Sequence, residues 1–487
     1  MGMALRIFNV LGRELQEFIP ITPGQVNMYV CGPTVYDHPH IGHAKTYITF
    51  DVVVRYLRAS GCNVLYVQNI TDVGHLLDTG EDRILRKAAQ TQSKPMQIVE
   101  TYTRIYFEMM DRLGVVRPDI SPRASGHIPE QIKMIETLLR KGHAYVVNGS
   151  VYFDVTTAPD YGKLSNRRID EQEAGTREAV RGEKRNPEDF ALWKRADPEH
   201  ILRWDSPWGE GFPGWHIECS AMAKKYLGDT FDIHGGGIDN IFPHNESEIA
   251  QSECANGAPF AKYWMLVGSL TVDGVKMSKS LGNFITIEDA LKRFRPEVIR
   301  TFMLGVHYSN PVDYTDEAMD AAARGWERLY NAVRLTRRMM NSAPAGSADG
   351  NGFLSVVEAA RADFIAAMDD NFTTPKAIAV LQDFTREVNT LLNSGATVGL
   401  DVLSAIERVY SELGGAILGI IPPAEAEVSG GSAQREAALI ELLVQLRAQA
   451  RAAKNWAESD RLRDALAEVG VILEDRPDGT LWKVVSS

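Results

Sequence analysis

The first seventy residues alternate apolar runs with glycine-marked breaks, in the order strand, turn, helix, strand. Residues 26–32, VNMYVCG, form a short β-rich run that stops at Gly-Pro. Residues 43–60, HAKTYITFDVVVRYLRAS, have helical length, and Gly61 stands where a C′ glycine belongs. Residues 63–71, NVLYVQNIT, form a second apolar strand. This order predicts the βαβ unit of a parallel sheet, in which ligands sit beyond the carboxyl ends of the strands.

Helical patterns follow from about 75 to 120. A different texture fills roughly 120 to 200, with a predicted hairpin at YVVNGSVYFDV turning on Asn-Gly, and a charged, irregular run after it. This predicts a small domain inserted into an α/β core spanning 1–311. The chain from 312 to 421 is nearly all helical pattern, a helical bundle broken at NSAPAGSADGNG and NSGATVG. Residues 422–434 have linker composition. The tail, 435–487, carries two helical patterns and a closing hairpin around Pro-Asp-Gly.

Composition adds bounds. A chain of 487 residues is expected to form roughly three units. With 44% hydrophobic and 24% charged residues, it has ample core material for a soluble globular protein. A net charge of −12 argues against a general nucleic-acid coat, so any polyanion must meet basic residues gathered on one face. Four cysteines, Cys31, Cys62, Cys219 and Cys254, are too few for a disulfide framework in this length. No secretory signal opens the chain and no window approaches a membrane span, so the cytoplasm and no membrane partner are expected.

Candidate chemistry gathers in CGPTVYDHPHIGH, residues 31–43. His40 and His43 share a face at a helix start, where anions are attracted. Gly42 leaves no side chain between them, so a flat ligand can approach the backbone. Two histidine donors there could steady charge growing on a phosphate. The alternative is a helix cap with two surface histidines, and this stretch alone does not separate the two. KMSKS, residues 276–280, offers Lys276 and Lys279 to a triphosphate, or is merely a solvated basic loop. Cys31, Cys219, His244 and Glu248 have the donor chemistry of a tetrahedral zinc site. Their spacing fits no finger pattern, and buried free thiols with a capping histidine remain the plainer account. Cys62 and Cys254 read as core or surface thiols.

HIGH (40–43) and KMSKS (276–280) match, letter for letter, the two signatures of class I aminoacyl-tRNA synthetases. CGPTVYDHPHIGH, NITDV, GWHIECSAM, FDIHGGG and FPH further resemble the cysteine-specific members of that class, essentially end to end. The resemblance implies a Rossmann-like parallel-sheet catalytic domain with the inserted domain, then the helical bundle and a C-terminal anticodon-binding domain. It implies ligation of L-cysteine to its tRNA through a cysteinyl-adenylate, using ATP with Mg2+. It implies one Zn2+ per chain on Cys31, Cys219, His244 and Glu248, selecting a thiolate over a hydroxyl. With four protein ligands, the zinc must then expand its coordination or hold Glu248 loosely.

His40 and His43 are expected on the α-phosphate, and Lys276 and Lys279 on the β- and γ-phosphates. Gly42 and Asp239 are expected to bind ATP, Asp239 through the ribose. Thr71 and Trp215 are expected to bind the amino acid. Plainer roles for Asp239 and Trp215 are a turn and core packing. Arg447, Arg451, Lys454, Trp456, Arg461 and Trp482 offer stacking and charge for unpaired anticodon bases, against amphipathic packing for each. A monomer is expected. The chain departs from the family pattern at Asn245 and at ESE (246–248), and has a longer VGHLLDTGED stretch. Two rivals are a ligase joining cysteine to an amino-sugar, which lacks the tail, and a non-catalytic RNA-binding paralogue, which should have lost the signatures.

Overall fold

The computed structural model describes residues 4–73, 82–167, 183–197, 200–277, 282–346, 351–424, 432–476 and 479–484. Its contacts divide the chain into two units, Met1–Ile421 and Pro422–Ser487. A hairpin, β1 (Arg6–Asn9) and β2 (Glu14–Glu17), precedes β3 (Gln25–Val30), α1 (Ile41–Ala59) and β4 (Asn63–Gln68). β3 and β4 pair in parallel from Gln25 opposite Asn63 to Val30 opposite Gln68. After α2 (Arg83–Gln90), α3 (Pro95–Arg112) and α4 (Ile128–Lys141) comes an antiparallel sheet of β5 (Ala144–Val147), β6 (Ser150–Phe153), β7 (Phe190–Arg195) and β8 (Gly211–Pro213). The β5–β6 turn places Asn148 and Gly149 at positive φ, as an Asn-Gly hairpin requires. This sheet runs to Pro213, so the insertion extends past the expected close near 200.

The main sheet resumes with α5 (Trp215–Leu227), β9 (Phe231–Gly237), α6 (Glu246–Asn256) and β10 (Ala261–Val267). Its order is β10-β9-β3-β4, all parallel. The strand order reverses between β3 and β9, and the loops leaving those two strands part from each other. That gap is the ligand-binding position of a doubly wound sheet. Two glycines make the close packing there possible. A Cβ on Gly32 would lie 1.6 Å from the Asn69 carbonyl oxygen, and one on Gly235 would lie 2.3 Å from the Phe50 ring.

A hairpin of β11 (Leu270–Val272) and β12 (Val275–Lys276) follows, turning on Asp273 and Gly274 at positive φ. After α7 (Ile287–Arg293) and α8 (Pro296–Leu304), β13 (Val312–Tyr314) pairs in parallel with β11. The chain therefore still serves the hairpin arm just after residue 311, and the bundle proper begins with α9 (Asp316–Met340). Its other helices are α10 (Leu354–Asp369), α11 (Thr374–Leu392) and α12 (Leu400–Val409), which continues as a wide turn over Tyr410–Ile417.

α1 carries two buried charges that fix its surroundings. The Lys45 ammonium donates to the carbonyls of Gly268 (2.8 Å), Ser269 (3.2 Å) and Asn310 (2.5 Å). It thereby ties the root of the β11–β12 arm to α1. Burial lowers its pKa to about 8. On the other side, Asp51 takes the buried guanidinium of Arg300 on α8, which also donates to the Leu418 and Leu113 carbonyls. This pair joins α1, α8 and the end of the bundle in one buried contact.

In the second unit, α13 (Ser432–Ala452) and α14 (Trp456–Glu468) pack on the hairpin β14 (Val471–Arg476) and β15 (Gly479–Val484) around Ile440, Val444, Leu466 and Val471. α13 begins at Ser432, inside the stretch expected to be linker up to 434. Replacing Asp51 by Asn leaves the Arg300 charge buried without its counter-ion. The expected result is a loss of about 3–5 kcal/mol in denaturant unfolding; a change below about 1 kcal/mol would show that the pair does not hold the helices together.

Candidate active site

Cys31 follows β3 directly, and its N–H donates to the Gly235 carbonyl on β9 at 2.9 Å. Cys219 lies in α5, His244 in the turn before α6, and Glu248 in the first turn of α6. Four elements from both halves of the sheet thus bring these side chains together. One ligand atom from each lies within 4.8 Å of all the others, and all four residues are buried.

The electrostatics of this cluster are those of donors facing one another. A hydrogen bond from Cys219 favours the Cys31 thiolate, but burial and the charge of Glu248 outweigh it and raise Cys31. Cys219 is raised well above its ordinary value by its hydrogen bond to Cys31, by burial and by the charges of Cys31 and Glu248. Burial pushes Glu248 up, yet the neighbouring His234 and His244, with Asn245, bring it down to about 2. Oε1 of Glu248 is buried without a hydrogen-bond partner and lies 3.7 Å from His244 Nε2. Two thiols, an imidazole and an orphaned carboxylate oxygen, all from buried residues, fit a dication such as zinc.

His244 is oriented from outside the cluster. Its Nδ1 lies 3.0 Å from Nδ1 of His216, and Trp215 stacks on its ring at 4.1 Å. This contact and the stacked indole hold the His244 ring in place, with Nε2 3.7 Å from Glu248 Oε1.

His40 is the N-cap of α1, and its Nδ1 accepts from the Gly42 N–H at 3.1 Å. His43 Nδ1 accepts from the His40 N–H at 3.2 Å. Each neutral ring therefore keeps its proton on Nε2, the outward donor. The rings stack at 3.8 Å, with the edge of Phe284 on His40. Burial lowers His40 to about 4, and burial together with His40 lowers His43 well below the ordinary range. Both are neutral donors at physiological pH, so any help to a phosphate is by hydrogen bonding and not by charge. His43 also stacks on Tyr47, whose hydroxyl donates to the Cys31 carbonyl at 3.3 Å. One face of α1 therefore runs from the paired histidines to the thiol cluster.

A cleft of about 360 Å³ joins these parts. Cys31, His40, Gly42, His43, Thr71, Trp215, Cys219, Asp239, His244 and Lys276 all line it. Glu248 does not line it, being wholly buried beneath. Lys279 lies outside the described residues. A Cβ on Gly42 would come within 3.0 Å of the His40 ring, so the bare backbone keeps this wall open. The Thr71 hydroxyl accepts from the Asn69 side chain at 3.0 Å. Lys276 and Asp239, both exposed, pair across the cleft at 3.2 Å.

Sequence reasoning missed His216 and His234, and marked Asn245 only as a departure from the family pattern. The first two stand inside words already singled out, GWHIECSAM and FDIHGGG, but nothing in their spacing says which way they point. In the second unit, Arg447 and Arg451 are both spent on Asp475, Arg461 on Glu458, and Trp482 on Glu441. Of the six tail candidates, Trp456 is 58% exposed, and Lys454, also exposed, has no side-chain partner among the described residues.

The family model described as "tRNA synthetases class I (C) catalytic domain" matches residues 17–324. The DALR domain matches 363–422, and the cysteinyl-tRNA ligase anticodon binding domain matches 437–482. Mycobacterium tuberculosis methionyl-tRNA synthetase, solved with methionyl-adenylate, shares the fold with a TM-score of 0.60 over 83% of this chain and 93% of that one, at 14% identity. The parallel sheet, its cleft and these matches define a class I aminoacyl-tRNA synthetase. The cysteine–tRNA ligase of Deinococcus radiodurans is 50% identical over 98% of this chain and 96% of its own, and that of Thermus thermophilus 46% identical over 99% and 100%. The chain belongs to the cysteine–tRNA ligase family. Among the described residues, no helix is long and apolar enough to cross a membrane.

His40 in the folded chain takes no proton until about pH 4, whereas an unfolded histidine titrates near 6.5. Between these values the unfolded state binds more protons, so stability falls as the pH drops. Replacing His40 by Gln should flatten this slope in thermal melts between pH 6.5 and 4. An unchanged slope would mean that His40 titrates as an exposed histidine.

Proposed function

We propose that this chain ligates L-cysteine to its tRNA in two steps within this cleft. First, the cysteine carboxylate attacks the α-phosphorus of ATP, the bond to the bridging oxygen breaks, and pyrophosphate leaves. A hydroxyl of the 3′-terminal ribose of the tRNA then attacks the carbonyl of cysteinyl-adenylate, and AMP leaves. The observation that carries this reading is the convergence, in one cleft, of a buried four-donor cluster and a pair of outward histidine donors on the same helix.

Cys31, Cys219, His244 and Glu248 hold one zinc in this reading. Bound there, it supplies a strong preference for a thiolate over a hydroxyl, beyond the roughly 10²-fold that an apolar pocket gives between near-isosteres. Trp215, stacked on His244, walls the amino-acid end, with Thr71 opposite, held by Asn69. His40 and His43 donate Nε2–H to the α-phosphate as charge grows on it. Gly42 lets the nucleotide approach the backbone between them. Lys276 and Lys279 take the β- and γ-phosphates, and Mg2+ arrives with ATP. Asp239 takes the ATP ribose, which releases Lys276 from their mutual pair as ATP enters. Trp456 and Lys454 are the tail residues left to meet unpaired anticodon bases. We further assign the protein as a monomer of the cytoplasm.

The test is cysteine-dependent exchange of pyrophosphate into ATP, followed by charging of the tRNA. Both are expected. Exchange without charging would point to a ligase with another acceptor, and no exchange would overturn the enzyme reading. Replacing Lys279 by Ala should lower the exchange rate by about 10²-fold or more, the scale of losing one charge-stabilising donor. Removing zinc with a chelator should bring discrimination of cysteine over serine down to about 10²-fold or less. Discrimination that survives proven zinc loss would refute the role given to the metal.

A further inference from the structure

Asn245 and His234 both approach the same oxygen of Glu248. Asn245 Nδ2 donates to Oε2 at 2.8 Å, and His234 Nε2 lies 3.2 Å from that atom. Oε1 is left without a hydrogen-bond partner, 3.7 Å from His244 Nε2. Asn245, His234 and Glu248 are wholly buried, away from solvent. The amide orientation is fixed by chemistry: a carboxylate accepts only, so the NH2 end must face it. The same NH2 reaches Cys31 Sγ at 3.7 Å. Asn245 therefore touches two of the four donors while its own Oδ1 finds no partner. A buried amide that leaves one end unsatisfied implies that the contacts at its other end are worth that cost.

We propose that Asn245 is a positioning residue that confines Glu248 to a single coordinating oxygen, Oε1, and so reserves a place on the metal for the substrate thiolate. The inference rests on the zinc reading of the cluster given above. A carboxylate free at both oxygens can chelate, and a second oxygen would fill the fifth position that a four-ligand zinc site needs for a substrate. With Oε2 hydrogen-bonded to Asn245 and His234 Nε2 3.2 Å from it, that position stays available. The Asn245 contact to Cys31 works in the same direction, because an N–H donor steadies the thiolate where it stands.

The full-length protein loaded with Co2+ in place of zinc tests this, since the visible band of cobalt is strong at four ligands and weakens at five. Asn245→Leu removes its contacts to both Glu248 and Cys31 at similar volume. The variant is expected to bind one cobalt per chain with a weakened band before any cysteine is added. Its KM for cysteine in pyrophosphate exchange should rise by at least about tenfold, with the KM for ATP unchanged. If the leucine variant does not fold, Asn245→Ala, which fits without strain, is read in the same way. A variant band and cysteine KM equal to those of the unaltered protein would overturn the proposal. So would a fall in melting temperature and in rate with the band unmoved, the mark of a merely structural role. An unaltered protein that takes up no cobalt would overturn the zinc reading, and this inference with it.

Discussion

The pairing of β3 with β9 is the constraint on which the site depends. The hydrogen bond from Cys31 N–H to the Gly235 carbonyl, 2.9 Å long, joins the two halves of the sheet at the point where their loops separate. Because the strands run parallel, both present their carboxyl ends to the same edge. Cys31 then faces Cys219 on α5 and the start of α6, although these segments are nearly two hundred residues away in the chain. The glycines serve this closeness. Gly235 makes room for Phe50 of α1, and Gly32 for the Asn69 carbonyl that leads to Thr71.

α1 transmits the same constraint to the other substrate. Its first turn holds the paired histidines, its second turn holds Tyr47 on the Cys31 carbonyl, and Lys45 between them grips the root of the arm that carries Lys276. Further along, Asp51 and Arg300 fasten the helix to the bundle. One rigid element therefore carries the paired histidines, the wall of the thiol cluster and the anchor of the lysine arm. Positioning of this kind is most of what phosphoryl transfer asks of a protein.

Much of the fold was legible because its signals are local. The βαβ unit announces itself through two apolar strands and a glycine-capped helix, and the Asn-Gly hairpin through its turn residues. HIGH and KMSKS are contiguous words, so they could be read without knowing the topology. The candidate metal cluster stands differently. Its four donors come from three separate stretches, and only the family resemblance grouped them before the sheet order did. His216 and His234 were illegible, and Asn245 stood out only as a departure from the family pattern, because contacts such as theirs depend on direction: each meets a neighbour that the chain brings to it from elsewhere. In the tail, Arg447 and Arg451 offer charge in sequence, with packing as the plainer role, and a single acidic residue on the facing hairpin, Asp475, engages both. The close of the insertion and the start of α13 were misjudged by local composition, which does not report that a strand or helix continues through polar residues.

The central claim is that the buried cluster is a zinc site to which the substrate sulfur binds directly. X-ray absorption at the zinc edge of the purified protein tests it most directly. The account predicts two sulfur ligands with one nitrogen and one oxygen in the free protein, and a third sulfur when cysteine is added. A protein without zinc, or a zinc whose sulfur count is unmoved by cysteine, would contradict it.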